Sequence, residues 1–385
     1  MKSIKNKVLA SALAFTLVGG AFAINPNVAE AANKPLQIKK VLNLPAEGVT
    51  TPTETFTFTF TKVGKNGGED QTNMPEIPAV TAKYSSTEDT DDNDGSTSGK
   101  QLIKETANAL ANVTFTAAGQ YTYTVTETTG TTVDMAYSKA EYTVSLFVKK
   151  VGDAYEVTNI QIKQTKNDKG ETVNEEKTEY TPGDASDDKK AGNKFAFENN
   201  YDKKAGNTNT NEGGTEITEN DKKGFALRKT ITDDTPDENA EFTFRLTVTK
   251  PEGSKSADTT FKYFIAGDGT EKTGTYGQAF DIQLKHNQRI VFSEVLLGSK
   301  VEFDETNSGA YTGSVKSATF NGTAGTEKSG IIGDQAGGNF AEYENKTQTP
   351  TGFLIDNLPF IALVAVAGAG ILFFVKNRKE DLAQA

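Results

Sequence analysis

Six polar residues interrupt apolar rows in this sequence. Side chains along a strand alternate between its two faces, so residues two apart share a side. Leu36, Ile38, Leu42 and Leu44 occupy one such row, and Lys40 stands at its centre. Glu127 falls in line with Tyr121, Tyr123 and Val125, and Asn199 with Phe195, Phe197 and Tyr201. The trio recurs later in the same order: Lys229 among Phe225, Leu227 and Ile231, Glu305 with Val301 and Phe303, and Asn345 with Ala341 and Tyr343. Charged groups are almost never fully buried unless paired, because desolvation costs several kcal/mol per ion. A lysine held among apolar side chains shifts toward its neutral amine, and a glutamate there toward its neutral acid. A neutral amine can attack the side-chain carbonyl carbon of a neighbouring asparagine. The protonated carboxyl polarises that carbonyl and relays the proton to leaving ammonia. The product is a Lys–Asn isopeptide bond, made in a single turnover by Glu127 in one half of the chain and Glu305 in the other. The competing reading is that each strand ends at the residue concerned and leaves it at a solvated rim.

The elements that must position these residues are strands. Threonine, glycine and β-branched residues abound, which favours strands over helices. Phe56, Phe58 and Phe60 alternate with threonines, and Tyr142, Val144, Leu146 and Val148 form another alternating segment that leads into Val151-Gly152-Asp153. Short alternating segments separated by turns predict an all-β chain of two tandem β-sandwich domains. The expected boundaries are residues 32–202 for the first domain and 225–347 for the second. Between them 203–224, poor in apolar residues and carrying Asn207-Thr208-Asn209-Thr210-Asn211 and Gly213-Gly214, reads as a linker. Phe225–Lys229 and the alternating Phe242, Phe244, Leu246 and Val248 repeat the order of the first half, so two divergent copies of one domain is the economical reading.

Composition narrows the function further. The chain has no cysteine and a single histidine, His286. Most metal sites and nucleophilic triads need thiolate or imidazole at several points, so no metal, no cofactor and no ordinary enzymatic activity is expected. The acidic stretch from Glu88 to Gly95 lacks the acids an EF-hand loop requires at Thr90 and Gln101. A net charge of −11 disfavours nucleic-acid binding. Residues 1–31, with Lys2, Lys5 and Lys7, an apolar run from Val8 to Phe22 and small residues around Ala29-Glu30-Ala31, predict a signal peptide. Near the other end the apolar run from Leu358 to Val375 comes close to the roughly 20 residues a membrane-spanning helix needs. A basic tail containing Lys376, Arg378 and Lys379 follows it. An exported chain without cysteine cannot rely on disulfides, which makes another covalent device worth seeking.

The ordered trios resemble those of Gram-positive major pilins, most closely the streptococcal two-domain major pilin family. Lys40 in LQIKK, Glu127 in YTYTVTE and Asn199 in FENN match one domain, and Lys229 in FALRK, Glu305 in VEFDE and Asn345 in YENK match the other. The resemblance implies immunoglobulin-like domains, each with a self-generated Lys–Asn bond between its first and last strands. Gln348-Thr349-Pro350-Thr351-Gly352 resembles a sortase motif, with Gln348 in place of leucine and Thr349 in place of proline. It opens a sorting signal expected to span 348–385. By this resemblance a pilin-specific sortase cleaves after Thr351 and joins it to a lysine of another copy of the chain. Lys190 is the favoured acceptor, with Lys189 and Lys194 as alternatives. The implied product is a surface pilus covalently attached to the cell wall. Its implied partners are minor or tip pilins, peptidoglycan reached directly or through a base pilin, and a host surface ligand. The alternative is a wall-anchored adhesin or minor pilin that binds host ligands without polymerising.

Overall fold

A computed structural model describes residues 33–46, 48–86, 99–181, 195–233 and 235–347. The signal-peptide segment, the acidic stretch Glu88–Gly95, the acceptor candidates Lys189, Lys190 and Lys194, and the sorting signal from Gln348 onward lie outside the described residues. Among the described residues no helix is long and apolar enough to cross a membrane.

The first half contributes β1 (Lys39–Leu44), β2 (Glu54–Lys65), β3 (Val80–Tyr84), β4 (Lys100–Glu105), β5 (Gly119–Glu127), β6 (Met135–Ala136), β7 (Glu141–Val151), β8 (Ala154–Lys166), β9 (Thr178–Glu179) and β10 (Ala196–Tyr201). They form a four-stranded sheet in the order β4-β1-β10-β6 and a six-stranded sheet in the order β3-β2-β5-β7-β8-β9. Alternation decides which faces meet. Phe56, Phe58 and Phe60 of β2 and Tyr121, Tyr123 and Val125 of β5 turn inward onto Leu42, Phe195 and Phe197, while the threonines between them stay outside the core. At the β7–β8 hairpin Gly152 adopts φ 60°, the left-handed conformation that glycine takes without a Cβ clash.

The second half contributes β11 (Lys204–Ala205), β12 (Ala226–Ile231), β13 (Phe242–Thr249), β14 (Thr260–Ile265), β15 (Lys272–Thr275), β16 (Ala279–Leu284), β17 (Arg289–Leu296), β18 (Lys300–Asn307), β19 (Tyr311–Phe320), β20 (Thr323–Gly325), β21 (Ser329–Ile331) and β22 (Phe340–Thr347). One sheet runs β15-β14-β17-β12-β22-β19-β20, with β11 added to β17, and the other runs β16-β13-β18-β21. A second aromatic core, including Phe225, Phe244, Phe292 and Phe303, fills the space between them. The described residues are therefore nearly all β, built as two sandwiches, as expected.

Both sandwiches share one topological feature. The first strand lies beside the last and parallel to it, in a ladder otherwise dominated by antiparallel pairs. Lys40 stands opposite Phe197 and Leu42 opposite Asn199, while Lys229 stands opposite Tyr343 and Ile231 opposite Asn345. In each domain the lysine is thus offset from the asparagine by two residues, which puts both side chains on the same inward face.

Residues 203–224, read above as a linker, are a folded strap on the second domain. β11 pairs with Val295 and Leu296, and Asn207 donates its backbone N–H to the Phe292 carbonyl at 3.1 Å. The polar composition that imitates a linker is consumed internally. Buried Asp221, in a short 3₁₀ turn, accepts from Arg289 Nε at 2.9 Å, Asn207 Nδ2 at 2.8 Å and the Thr218 N–H at 2.9 Å. Ile217 packs on Ala226, Phe264 and Val291. A loop of the first half also reaches across: Val49 is part of the second core, and Asp334 accepts from the Thr50 N–H at 3.0 Å and pairs with Lys203 at 2.8 Å.

Candidate cross-linking sites

None of the six trio residues ends at a rim. Lys40, Asn199, Lys229 and Asn345 are fully buried, Glu127 is 7% exposed, and the Glu305 side chain is 2% exposed. β1 and β10 supply the lysine and the asparagine of the first site from adjacent strands, and β5 supplies Glu127 from the facing sheet. β12, β22 and β18 do the same in the second domain. Each trio therefore closes across the core from three separate strands.

In the first site Glu127 bridges the other two groups. Lys40 Nζ donates to Glu127 Oε2 at 2.7 Å, and Asn199 Nδ2 donates to Glu127 Oε1 at 2.6 Å. The Phe56 ring lies 4.4 Å from the lysine nitrogen. Burial is the larger influence on both ionisable groups. It lowers the Lys40 pKa to about 8 against the opposing pull of Glu127, and it raises Glu127 above the usual carboxylate range against the pull of Lys40. Both shifts move the pair toward neutral amine and neutral acid. At pH 7 an amine with that pKa is free in roughly a tenth of molecules, far more than for an exposed lysine.

The second site repeats this arrangement more loosely. Lys229 Nζ stands 3.7 Å from Glu305 Oε1 and donates to the Thr230 carbonyl at 3.0 Å, while Phe242 lies 4.2 Å from it. Asn345 Nδ2 donates to Glu305 Oε1 at 2.9 Å and Oε2 at 3.1 Å. Burial again lowers the lysine, to about 8, and raises the glutamate. Gly313 of β19 stands opposite Asn345. A Cβ there would come well inside van der Waals distance of Asn345 Oδ1, Glu305 Oε2 and the Tyr343 ring.

The chemistry this geometry permits is acyl transfer between side chains. In such a transfer the neutral Lys40 Nζ would add to Asn199 Cγ, Glu127 would take a proton from the newly bonded nitrogen through one oxygen and deliver one to Asn199 Nδ2 through the other, and the Cγ–Nδ2 bond would break as ammonia departs. Burial holds the reacting groups together and excludes the water that would otherwise solvate the charged amine. Sequence parity locates all six residues, but Ser138, Asp168 and Gly313, which touch them or their partners, carry no such signal. The described residues include no cluster of His, Cys, Asp and Glu arranged to hold a metal ion.

Residues 36–202 match the family model described as a Spy0128-like isopeptide containing domain, and residues 223–347 match one described as a domain of unknown function, DUF7601. No curated protein sequence matches the chain. Among solved structures, the major pilin from Streptococcus pyogenes aligns at 17% identity over 82% of this chain and 99% of its own, with a TM-score of 0.31. A second Streptococcus pyogenes major pilin aligns at 17% identity over 83% and 100%, with a TM-score of 0.32. The pilus-presented adhesin Spy0125 aligns at 11% identity over 81% and 100%, with a TM-score of 0.26. The likeness to the Spy0128-like isopeptide containing domain rests on the match over residues 36–202, not on these superpositions, and it falls on the stretch that holds Lys40, Glu127 and Asn199.

Proposed function

We propose that this chain is the shaft subunit of a surface pilus, each domain locked by one Lys–Asn isopeptide bond. The observation that carries this reading is the placement of each trio's lysine and asparagine on parallel first and last strands. A chain that enters on the first strand and leaves on the last transmits tension as shear between those two strands. A covalent bond from Lys40 to Asn199, and another from Lys229 to Asn345, carries that load without relying on the hydrogen-bonded ladder. Sandwiches linked this way suit a filament pulled end to end, and they replace the disulfides that a cysteine-free exported chain lacks.

Polymerisation belongs to the same proposal. A pilin-specific sortase cleaves after Thr351 within Gln348–Gly352 and joins that carbonyl to a lysine of the next copy, with Lys190 favoured over Lys189 and Lys194. The finished fibre is attached to the cell wall. Surface material released from the wall should run as a ladder resistant to SDS, with a branched peptide joining one of these lysines to the peptide ending at Thr351. A single wall-anchored band with no ladder would assign the chain to the adhesin or minor-pilin class instead.

A further inference from the structure

The two cross-linking sites also differ at the amide oxygen. In the first domain Asn199 Oδ1 accepts the backbone N–H of Ser138 at 2.7 Å. In the second, Asn345 Oδ1 is buried and has no hydrogen-bond partner among the described residues. Topology explains the difference. Beside β10 the edge strand β6 is only Met135–Ala136, and the chain then peels away, so the Ser138 N–H is free to turn onto the amide. Beside β22 the long strand β19 continues past Asn345, and no loop N–H reaches its oxygen.

Ser138 is itself clamped. Its Oγ donates to Asp168 Oδ1 at 2.6 Å and accepts the Ala140 N–H at 3.1 Å. Asp168 Oδ1 also accepts the N–H of Glu198, the residue next to Asn199, at 2.9 Å. One carboxylate oxygen therefore ties the donor loop to the strand that carries the reacting amide.

We propose that the Ser138 backbone N–H is the oxyanion donor of the first-domain reaction, and that Asp168 is the positioning residue that holds it there, a device the second domain lacks. This rests on the Lys–Asn cross-linking reading and deepens it. When Lys40 Nζ adds to Asn199 Cγ, the carbonyl π electrons move onto Oδ1, where the Ser138 N–H meets the negative charge. Collapse of that intermediate breaks the Cγ–Nδ2 bond, and the nitrogen leaves as ammonia with the proton that Glu127 took from the amine. The same contact fixes the amide's orientation, with Oδ1 toward Ser138 and Nδ2, the leaving nitrogen, toward Glu127. In the second domain Glu305 alone must polarise Asn345. Its amide now presents nitrogen to both carboxylate oxygens and has to turn over before the carbonyl can accept from a protonated Glu305.

The test is a refolding time course of the full chain recovered unfolded from inclusion bodies, sampled by acid quench and peptide mass. It follows the Lys40–Asn199 and Lys229–Asn345 links separately, so the second domain is an internal control. In the wild-type chain the first link should form at least about tenfold faster than the second, since removal of one oxyanion donor costs about 10²–10³ in rate. Asp168→Ala should slow the first link by about tenfold or more and leave the second unchanged. Asp168→Asn, which keeps an oxygen for both acceptor bonds, should restore the wild-type rate. If Asp168→Ala does not fold by circular dichroism, Ser138→Ala, which keeps the N–H and loses only the clamp, carries the same expectation. An unchanged first-link rate in the folded variant overturns the proposal, as does an Asp168→Asn chain slowed as much as Asp168→Ala. A wild-type chain that folds with no Lys40–Asn199 link at all refutes the cross-linking reading itself.

Discussion

Glu127→Gln should leave the first domain without its bond while the second domain still forms one. The substitution keeps the shape of the side chain and a hydrogen-bonding oxygen, but it removes the carboxyl that sits 2.7 Å from Lys40 Nζ and 2.6 Å from Asn199 Nδ2. With no group to carry the proton from nucleophile to leaving nitrogen, the amide does not exchange. The cost in stability follows from the loop that the bond closes. Linking residues 40 and 199 constrains more than a hundred residues of the unfolded chain, and chain-entropy treatment of a cross-link of that size gives about 5 kcal/mol. For a domain of this length that corresponds to a fall in melting temperature of roughly 10–20 °C. Differential scanning calorimetry with peptide mass analysis checks it. A variant that retains the Lys40–Asn199 link, or one that loses the link and melts with the wild type, contradicts this account of Glu127.

Gly313→Ala should abolish the second bond and spare the first. Gly313 is required for space, not for conformation, since its backbone is not among those with positive φ. A methyl group there would displace Asn345 Oδ1, Glu305 Oε2 and the Tyr343 ring together, in a site where Asn345 is fully buried and Tyr343 is packed in the core. Overpacking of this kind costs about 1–3 kcal/mol in a well-packed core. The larger effect is on reactivity, because the near-attack arrangement of lysine, acid and amide is lost. Tryptic mapping of the purified variant should recover Lys229 and Asn345 on separate peptides while the Lys40–Asn199 pair stays joined. Recovery of the Lys229–Asn345 link in full yield would show that the second site tolerates the crowding.

The two trios were legible in the sequence because a buried charge violates a pattern that is otherwise kept. Lys40 in a row with Leu36, Ile38, Leu42 and Leu44 is a violation visible without coordinates, and the fold explains it by burying all five. The strands were legible for the same reason, as β2 and β5 alternate nearly without exception. The groups that tune the sites were not. Ser138 acts through a backbone N–H, which every residue but proline has, and Asp168 lies in the turn-like run Asn167–Gly170 that reads as an ordinary loop. Gly313 matters for a side chain it does not have. The strap at 203–224 reads as a linker in the sequence because composition records polarity but not pairing. Asp221 and Arg289 are both fully buried and satisfy one another across 68 residues of sequence.

Intact mass of the chain, purified after folding and unfolded only for the spectrometer, reads both bonds at once. Each Lys–Asn bond expels one ammonia. The mass should lie two ammonia units below that calculated for the residues the purified chain retains, and a mass equal to that calculated value would contradict both bonds.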